Sequence, residues 1–380
     1  MVTGGGSPFR PHNHTAMKTY DTIIVGGGPS GATAARGLAR LGVDVLLLDK
    51  MSFPRQKPCG GALSPKTYGQ VDFDISDLVK ARVRRTRLRG PGRSRLYLQS
   101  REVEIWMVCR EELDLRLLEQ ASQAGVLVKQ REPVESVLEG GRIVRTTREE
   151  YRTRTLVGAD GHGSLVAKAL GLGNPRPRYF RSIHLECSVR ESCGEEAVLD
   201  FAYPGGYAWL FPKGEVYNAG ICTKERGWDL RPMLEGFLRK EGVVPASTPT
   251  YHSWPIPLGG RFRPLHHGMA VLVGDAAGLA DPLLGEGIAY ALMSARLAAR
   301  AIERYLKGET KNLSSYSETM GRTLRRDLWG LSVGAALLYR FPRLFVAFLG
   351  ASPALQGVAL SVLSGQRSPS GIWTEKEVRD

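Results

Sequence analysis

The residues whose types and spacing could do chemistry in this 380-residue chain sit in a few glycine-rich stretches. The first is Gly26-Gly27-Gly28-Pro29-Ser30-Gly31, a G-x-G-x-x-G that follows the β-rich run Tyr20–Val25 and opens a segment with Ala32, Ala35, Leu38 and Leu41 at helical spacing. In such a stretch Gly26 permits the tight turn, Gly28 lets a pyrophosphate approach the backbone, and Gly31 lets helix and strand pack closely. The helix opening at Pro29 and Ser30 presents N–H groups and a positive dipole end to phosphate. A second apolar run, Val43–Leu48, closes on Asp49 and Lys50, which are assigned to the same site. Asp49 lies 18 residues past Gly31, where a carboxylate accepts from ribose hydroxyls. Strand, turn, helix and acid together predict dinucleotide binding rather than a structural glycine turn.

Four more stretches carry polar or aromatic groups among glycines. They are Lys57-Pro58-Cys59-Gly60-Gly61-Ala62, Gly158-Ala159-Asp160-Gly161 with Ser164, Gly274-Asp275 running on to Asp281-Pro282-Leu283-Leu284-Gly285-Glu286-Gly287-Ile288, and Pro204-Gly205-Gly206-Tyr207-Ala208-Trp209-Leu210-Phe211-Pro212-Lys213. Tyr207 and Trp209 alternate along one strand and share a face. They form either a stacking wall for a ligand or part of a domain core. The histidines show no spacing that would hold a metal, and no paired Cys-x-x-Cys hooks occur, so no metal site is assigned.

The elements that must position these groups have two textures. A β-α-β unit begins the chain, a helix is predicted over Glu111–Ala124, and a parallel strand over 126–128. From about Arg178 to Tyr251 short strand candidates with aromatics and glycine turns suggest an inserted sheet. The first texture returns at Met269–Val273 and continues into a helix over Glu286–Lys307, with Ile288, Leu292, Ala295, Ala299, Ile302 and Leu306 on one face. The expected fold is therefore α/β. A discontinuous Rossmann-like cofactor domain (17–75, 100–175 and 265–310) carries an inserted, mainly antiparallel sheet (76–99 and 176–264). A loose leader (1–16) precedes them and an apolar helical region (311–380) follows.

Composition narrows the classes further. Hydrophobic residues make 42% and charged residues 24%, which excludes a disordered or fibrous chain. Five scattered cysteines (59, 109, 187, 193 and 222) do not read as a disulfide framework and predict reduced thiols in a cytoplasmic setting. The net charge of +14 is uneven, with seven arginines at 82, 84, 85, 87, 89, 93 and 95. Such a run faces an anionic partner, a phosphorylated substrate or a membrane surface, or else is a solvated strand pair. No binding module accompanies it, so nucleic acid is not expected. Residues 344–366 carry no charge but are broken by Gly350, Pro353 and Gly357, so they read as an apolar arm rather than a span. The arm over 328–366, with Trp329, Leu337, Leu338, Phe341, Leu344 and Phe345, either seats the protein on the inner face of a membrane or caps its core.

On these stretches the chain resembles the flavoprotein superfamily that includes p-hydroxybenzoate hydroxylase. The Pro-Cys-Gly-Gly loop and the Tyr-x-Trp-x-Phe-Pro-Lys strand resemble the geranylgeranyl reductase family within it. The resemblance implies FAD as cofactor. The first glycines hold its ADP part, Gly274 and Asp275 contact the ribityl chain, and Asp160 and Gly161 lie near the pyrophosphate and the nicotinamide route. Pro282, Gly285, Gly287 and Ile288 belong to the loop and helix start that face the flavin pyrimidine. It also implies that Cys59, Gly60 and Gly61 abut the flavin, that Arg110 reaches the FAD, that Val134 offers backbone groups to the adenine, and that Tyr207, Trp209 and Phe211 line a lipid cavity. Cys59 is the candidate proton donor, its alternative role being a small residue fitted beside the ring. The expected activity is reduction of carbon–carbon double bonds in an isoprenoid lipid, with NAD(P)H or a reduced carrier as electron source. A flavin monooxygenase or halogenase on the same scaffold, and a non-catalytic lipid- or flavin-binding protein, are the alternatives.

Overall fold

The computed structural model describes residues 17–100, 104–172, 174, 178–188, 194–260 and 263–364; the leader over 1–16, Cys193 and the end of the chain lie outside them. In chain order the elements that place the site are β1 (Lys18–Val25), α1 (Pro29–Arg40), β2 (Val45–Leu48), β3 (Arg85–Arg89), β4 (Arg95–Gln99), α2 (Arg110–Gln123), β5 (Leu127–Lys129), β6 (Glu150–Gly158), β7 (Tyr179–Ser188), β8 (Glu196–Asp200), β9 (Gly206–Lys213), β10 (Val216–Thr223), α3 (Leu230–Lys240), β11 (His252–Pro257), β12 (His266–His267), β13 (Ala270–Leu272), α4 (Ile288–Leu306), α5 (Ser314–Arg340), α6 (Pro342–Gly350) and α7 (Pro353–Ser364).

The first sheet has the order β12–β13–β6–β1–β2–β5, and its five strands from β13 to β5 run parallel. The antiparallel strands Val134–Leu138 and Ile143–Thr146 attach to β6. β2 is buried at every position because α1, α2 and α4 cover one face while Leu156, Val166 and Leu272 pack on the other. A strand covered on both sides has no polar face, which is why Val45–Leu48 is uninterrupted. β13, some 245 residues after β1 in sequence, returns beside β6, so the sheet is built from distant segments.

The second sheet has the order β11–β7–β10–β9–β8–β3–β4 and is antiparallel except where β8 runs parallel to β3. Its period-2 alternation sorts two cores. Leu185, Leu210, Ala219 and Ile221 point to α3, whose Leu234 and Phe237 are fully buried. Phe180, Tyr207, Trp209 and Cys222 point the other way, toward the cofactor sheet and the C-terminal helices.

The structure resolves the choice left open for the arginine run. Arg82 and Arg84 pair with Glu104, Arg85 and Arg87 with Glu196, and Arg87 and Arg89 with the buried Glu241. Arg85, Arg87 and Arg89 thus tie β3 to β8 and to the end of α3, so these paired guanidiniums are not a docking site for a diphosphate, whereas Arg93 and Arg95 stay exposed. Within the described residues the arm is helical over α5, α6 and α7. α5 buries Leu324, Leu328, Leu331, Ala335 and Leu338, and the chain turns by 109° between α5 and α6. Pro342 at the first position of α6 explains the break, since it disfavours helical geometry at Phe341 and cannot donate a backbone hydrogen bond. Among the described residues no single helix is long and apolar enough to cross a membrane.

Candidate active site

The turn between β1 and α1 is as tight as its glycines require. A Cβ on Gly31 would lie 1.8 Å from the Gly26 carbonyl oxygen, and one on Gly26 (φ +106°) would lie 2.3 Å from the Ala159 carbonyl oxygen. No side chain fits at either place, so the helix start is held against the ends of β1 and β6. Asp49, at the end of β2, closes the turn. Its two carboxylate oxygens accept from the Gly27 N–H at 2.6 Å and the Met51 N–H at 2.7 Å. Being buried yet beside the turn, it keeps lone pairs for a ribose.

Three cations converge on this turn. Arg110, buried at the start of α2, makes a bidentate pair with Asp114 at 2.9 Å through both Nε and Nη2. Arg55 reaches the same carboxylate at 3.1 Å and lies 3.4 Å from where a Gly28 Cβ would be. Lys57 stands 3.3 Å over the Trp254 ring. Burial pulls the Lys57 ammonium down to about 8. Asp275 opposes that shift, while Arg110 and Arg55 add to it. Burial also works against the charge of Arg110, but Asp114 more than offsets it and holds the guanidinium charged. A backbone cradle free of Cβ atoms, with these cations around it, has the chemistry to receive a dinucleotide diphosphate, so the residues present fit FAD.

The second glycine loop packs onto the first. A Cβ on Gly274 (φ +58°) would lie 2.7 Å from the Ser30 hydroxyl, and one on Gly287 would lie 3.3 Å from an Asp275 carboxylate oxygen. Gly26, Ser30, Gly31, Gly274, Asp275 and Gly287 thus come together although more than 240 residues separate the two loops. The segment Asp281–Glu286 closes on itself. The Asp281 N–H donates to the Glu286 carbonyl and the Gly285 N–H to the Asp281 carbonyl, both at 2.9 Å. Inside it, the Asp281 carboxylate accepts from the Leu283 N–H at 2.6 Å. Glu286 anchors the loop from outside by its pair with Lys66 at 2.7 Å and by hydroxyl donors from Ser64 and Thr67 at 2.6 and 2.7 Å. Burial favours the neutral acid, but Lys66 and the two hydroxyls hold the Glu286 carboxyl below its ordinary range.

The aromatic face abuts the Cys59 loop. Tyr207, Trp209 and Phe211 follow one another along β9 with ring centroids 5.8 and 6.4 Å apart. Phe211 lies against Gly60, where a Cβ would sit 3.0 Å from its ring. Trp209 lies flat over Gly220 and donates from Nε1 to the Asn218 side-chain oxygen at 2.8 Å. Asn218, fully buried, donates in turn from Nδ2 to the Cys59 carbonyl at 3.2 Å. The Tyr207 hydroxyl donates to the Leu284 carbonyl at 2.5 Å, and that of Tyr339, on α5, to the Leu283 carbonyl. Lys224 Nζ donates to the Pro282 carbonyl at 3.0 Å. This face is packed rather than open: Leu338, Tyr339, Phe345 and Leu349 of α5 and α6 lie over it.

Sequence-predicted residues thus fall into groups. Gly26, Gly28, Pro29, Ser30, Gly31, Asp49, Arg110, Gly274, Asp275, Gly287 and Ile288 gather at the two glycine loops, with Pro282 and Gly285 in the closed segment. Cys59, Gly60 and Gly61 join them to Tyr207, Trp209 and Phe211. The Cys59 Sγ accepts from the Gly61 N–H at 3.4 Å. Asp160 and Gly161 adjoin Gly26, but the Asp160 carboxylate is taken up by Ser164 and the Leu165 and Val166 N–H groups, so what it turns to the turn is main chain. Lys50 is exposed, and Val134 lies on an edge strand opposite Thr146. Spacing did not reveal Arg55, Asn218, Lys66, Lys224 or Tyr339. A signal existed for Asn218 alone: Gly220 in a strand interior marks a close approach.

Comparison with known proteins agrees with this geometry. Residues 19–199 match the FAD binding domain family. A geranylgeranyl diphosphate reductase of Rhodobacter capsulatus is 33% identical over 76% of each chain, and a menaquinone reductase of Mycobacterium tuberculosis is 31% identical over 90% of each. A geranylgeranyl bacteriochlorophyll reductase-like protein of Thermoplasma acidophilum superposes with a TM-score of 0.79 at 23% identity, covering 96% of both chains. The flavin-dependent brominase Bmp2 superposes at 0.76 and 16% identity, covering 92% of this chain and 94% of its own, so the fold alone does not separate reduction from halogenation.

Proposed function

Because this chain belongs to the geranylgeranyl reductase family of FAD-dependent oxidoreductases, we propose that it reduces isolated carbon–carbon double bonds of an isoprenoid lipid. The observation that carries the reading is the junction of the Cys59–Gly61 loop with the Tyr207–Trp209–Phe211 face. Gly28, Asp49, Arg55 and Arg110 would hold the diphosphate and ribose of FAD, and Gly274, Asp275 and Gly287 the part toward the flavin ring. Bound FAD supplies hydride chemistry, with NAD(P)H or a reduced carrier as the source of electrons.

The chain's own residues supply the rest. An unconjugated alkene has no carbonyl to take up charge, so a proton must be delivered in place and water kept out. Cys59 is the donor in this reading, its loop fixed through Asn218 and Phe211. The aromatic rings and the helices over them make an apolar surface whose chemistry suits a prenyl chain. Leu338, Tyr339, Phe345 and Leu349 must shift to admit that chain.

The test is anaerobic incubation of photoreduced protein with geranylgeranyl lipids, followed by mass spectrometry. A gain of two hydrogens per turnover is the expected result. A product that forms only with oxygen would move the assignment to a monooxygenase or halogenase, and protein that cannot take up FAD would leave only a binding role. Cys59→Ser should keep FAD and slow the reduction by about a hundredfold; unchanged turnover removes Cys59 from the chemistry.

A further inference from the structure

We propose that the outer faces of α5 and α6 form a docking surface for an anionic lipid bilayer, with the α5–α6 elbow seated in its interface. The apolar side chains left bare on these helices are not scattered. Trp329, Val333 and Leu337 are 65%, 41% and 51% exposed, and they are spaced by four residues along one face of α5. Phe341, Leu344 and Phe348 continue the strip around the elbow and are 49%, 67% and 61% exposed. The opposite face of α5 is already occupied, with Leu324, Leu328, Leu331, Ala335 and Leu338 buried against the protein. A contiguous apolar strip of this extent needs a partner.

Charge identifies that partner. Arg322, Arg325 and Arg326 lie exposed on the same face of α5, one or two turns before Trp329. Arg340 and Arg343 flank the elbow and are also exposed. The hairpin between β3 and β4 packs there too: a Cβ on Gly90 would lie 3.4 Å from the Pro342 carbonyl oxygen, and its turn carries the exposed Arg93 and Arg95. From residue 319 to 364 the chain has one acidic residue, Asp327, and it is buried on the inner face. Glu318, exposed one turn before Arg322, is the acid that precedes this stretch on α5.

This strip of aromatic and aliphatic side chains has arginines at both ends and is bent by 109°, and neither of its helices is long and apolar enough to cross a bilayer alone. It can lie in the plane of one, with rings at the level of the acyl chains and guanidiniums among the phosphates. A second copy of this chain would bring the same arginines together and meet repulsion. The proposal rests in part on the lipid substrate read above, because the inner faces of the same two helices cover Tyr207 and Trp209. A prenyl chain leaving the bilayer at the elbow would therefore meet the aromatic face after displacing Leu338, Tyr339, Phe345 and Leu349.

The test is flotation of the FAD-loaded full chain with phosphatidylglycerol vesicles, with phosphatidylcholine vesicles as the neutral control. Wild-type protein should float with the anionic vesicles, and salt should release it. The triple variant Trp329→Ser, Leu344→Ser, Phe348→Ser should lose binding by at least about tenfold. The variant Arg322→Gln, Arg325→Gln, Arg326→Gln should bind the anionic vesicles about a hundredfold more weakly. Both variants should keep the flavin spectrum and thermal midpoint of the wild type, and also its turnover of a short, water-soluble isoprenoid if the reductase reading holds. Wild-type protein that does not float, or a serine variant that floats unchanged, overturns the docking surface. So does a wild-type dimer that the serine variant converts to monomer without any vesicle binding. Flotation without alkene reduction would retain the surface and refute the reductase reading instead.

Discussion

The cofactor cradle and the aromatic face meet at Cys59 but are built in opposite ways. In the cradle, backbone meets backbone: Gly31 against Gly26, Gly26 against Ala159, with Asp49 accepting a main-chain N–H. On the aromatic face, side chain meets side chain or a distant carbonyl: Trp209 to Asn218, Asn218 to Cys59, Tyr207 to Leu284, Tyr339 to Leu283. Backbone contacts leave no room for an alternative residue, whereas a side-chain network can lose one member and repack. The cradle should therefore fail abruptly under substitution, and the face gradually.

The sharpest way to break this comparison is Gly31→Val. A side chain 1.8 Å from the Gly26 oxygen cannot be accommodated. We expect protein that purifies without yellow colour and is destabilised by more than about 4 kcal/mol. A yellow, stable Gly31→Val protein would show that the cradle is not rigid. Next in size is Glu286→Gln, which leaves Lys66 buried without its counter-charge and should cost about 3 kcal/mol by urea unfolding at neutral pH. Its pH dependence has a definite sign. The folded carboxyl titrates below its ordinary range, so the folded state binds fewer protons than the unfolded chain. That contribution is full above the ordinary carboxylate pKa of about 4.3 and is lost as pH falls through the folded value. The stability gap between wild type and Glu286→Gln should therefore close on acidification. A gap that stays constant would mean that Lys66 does not stabilise the charge.

Asn218→Leu probes the face. It strands the Trp209 N–H and the Cys59 carbonyl, at a cost of about 1–3 kcal/mol, with a changed near-ultraviolet signal from Trp209 and FAD affinity within about twofold of wild type. Loss of FAD would mean that face and cradle are one unit. The smallest effect belongs to Tyr339→Phe, about 1 kcal/mol in thermal or denaturant unfolding with the flavin spectrum unchanged, since a single hydrogen bond to the Leu283 carbonyl is removed.

The cradle was the more legible half. β1, α1, β2 and Asp49 follow from a local pattern of glycines, apolar runs and one acid within thirty residues, and α4 from its helical apolar stripe. The shared face of Tyr207 and Trp209 was legible for the same reason, since strand alternation is a local property. The arginine run was not. Read as an anionic docking strip or a solvated strand pair, it is divided: Arg87 and Arg89 find the buried Glu241 more than 150 residues away, Arg82, Arg84 and Arg85 make ion pairs at the surface, and Arg93 and Arg95 stay exposed. Asn218 reaches Cys59 across 159 residues and Ser64 reaches Glu286 across 222, and contacts of that reach leave no period in a sequence.

What the sequence determined by itself was the set of elements and the kind of cofactor they suit, because backbone conformation and amphipathic period are fixed by near neighbours. The tertiary structure decided which charges are answered, which loop is locked by Lys66, and that the C-terminal helices cover the aromatic face while turning a second apolar strip outward. Those outcomes depend on which distant segments share a low-dielectric space, and only the closed fold sets that.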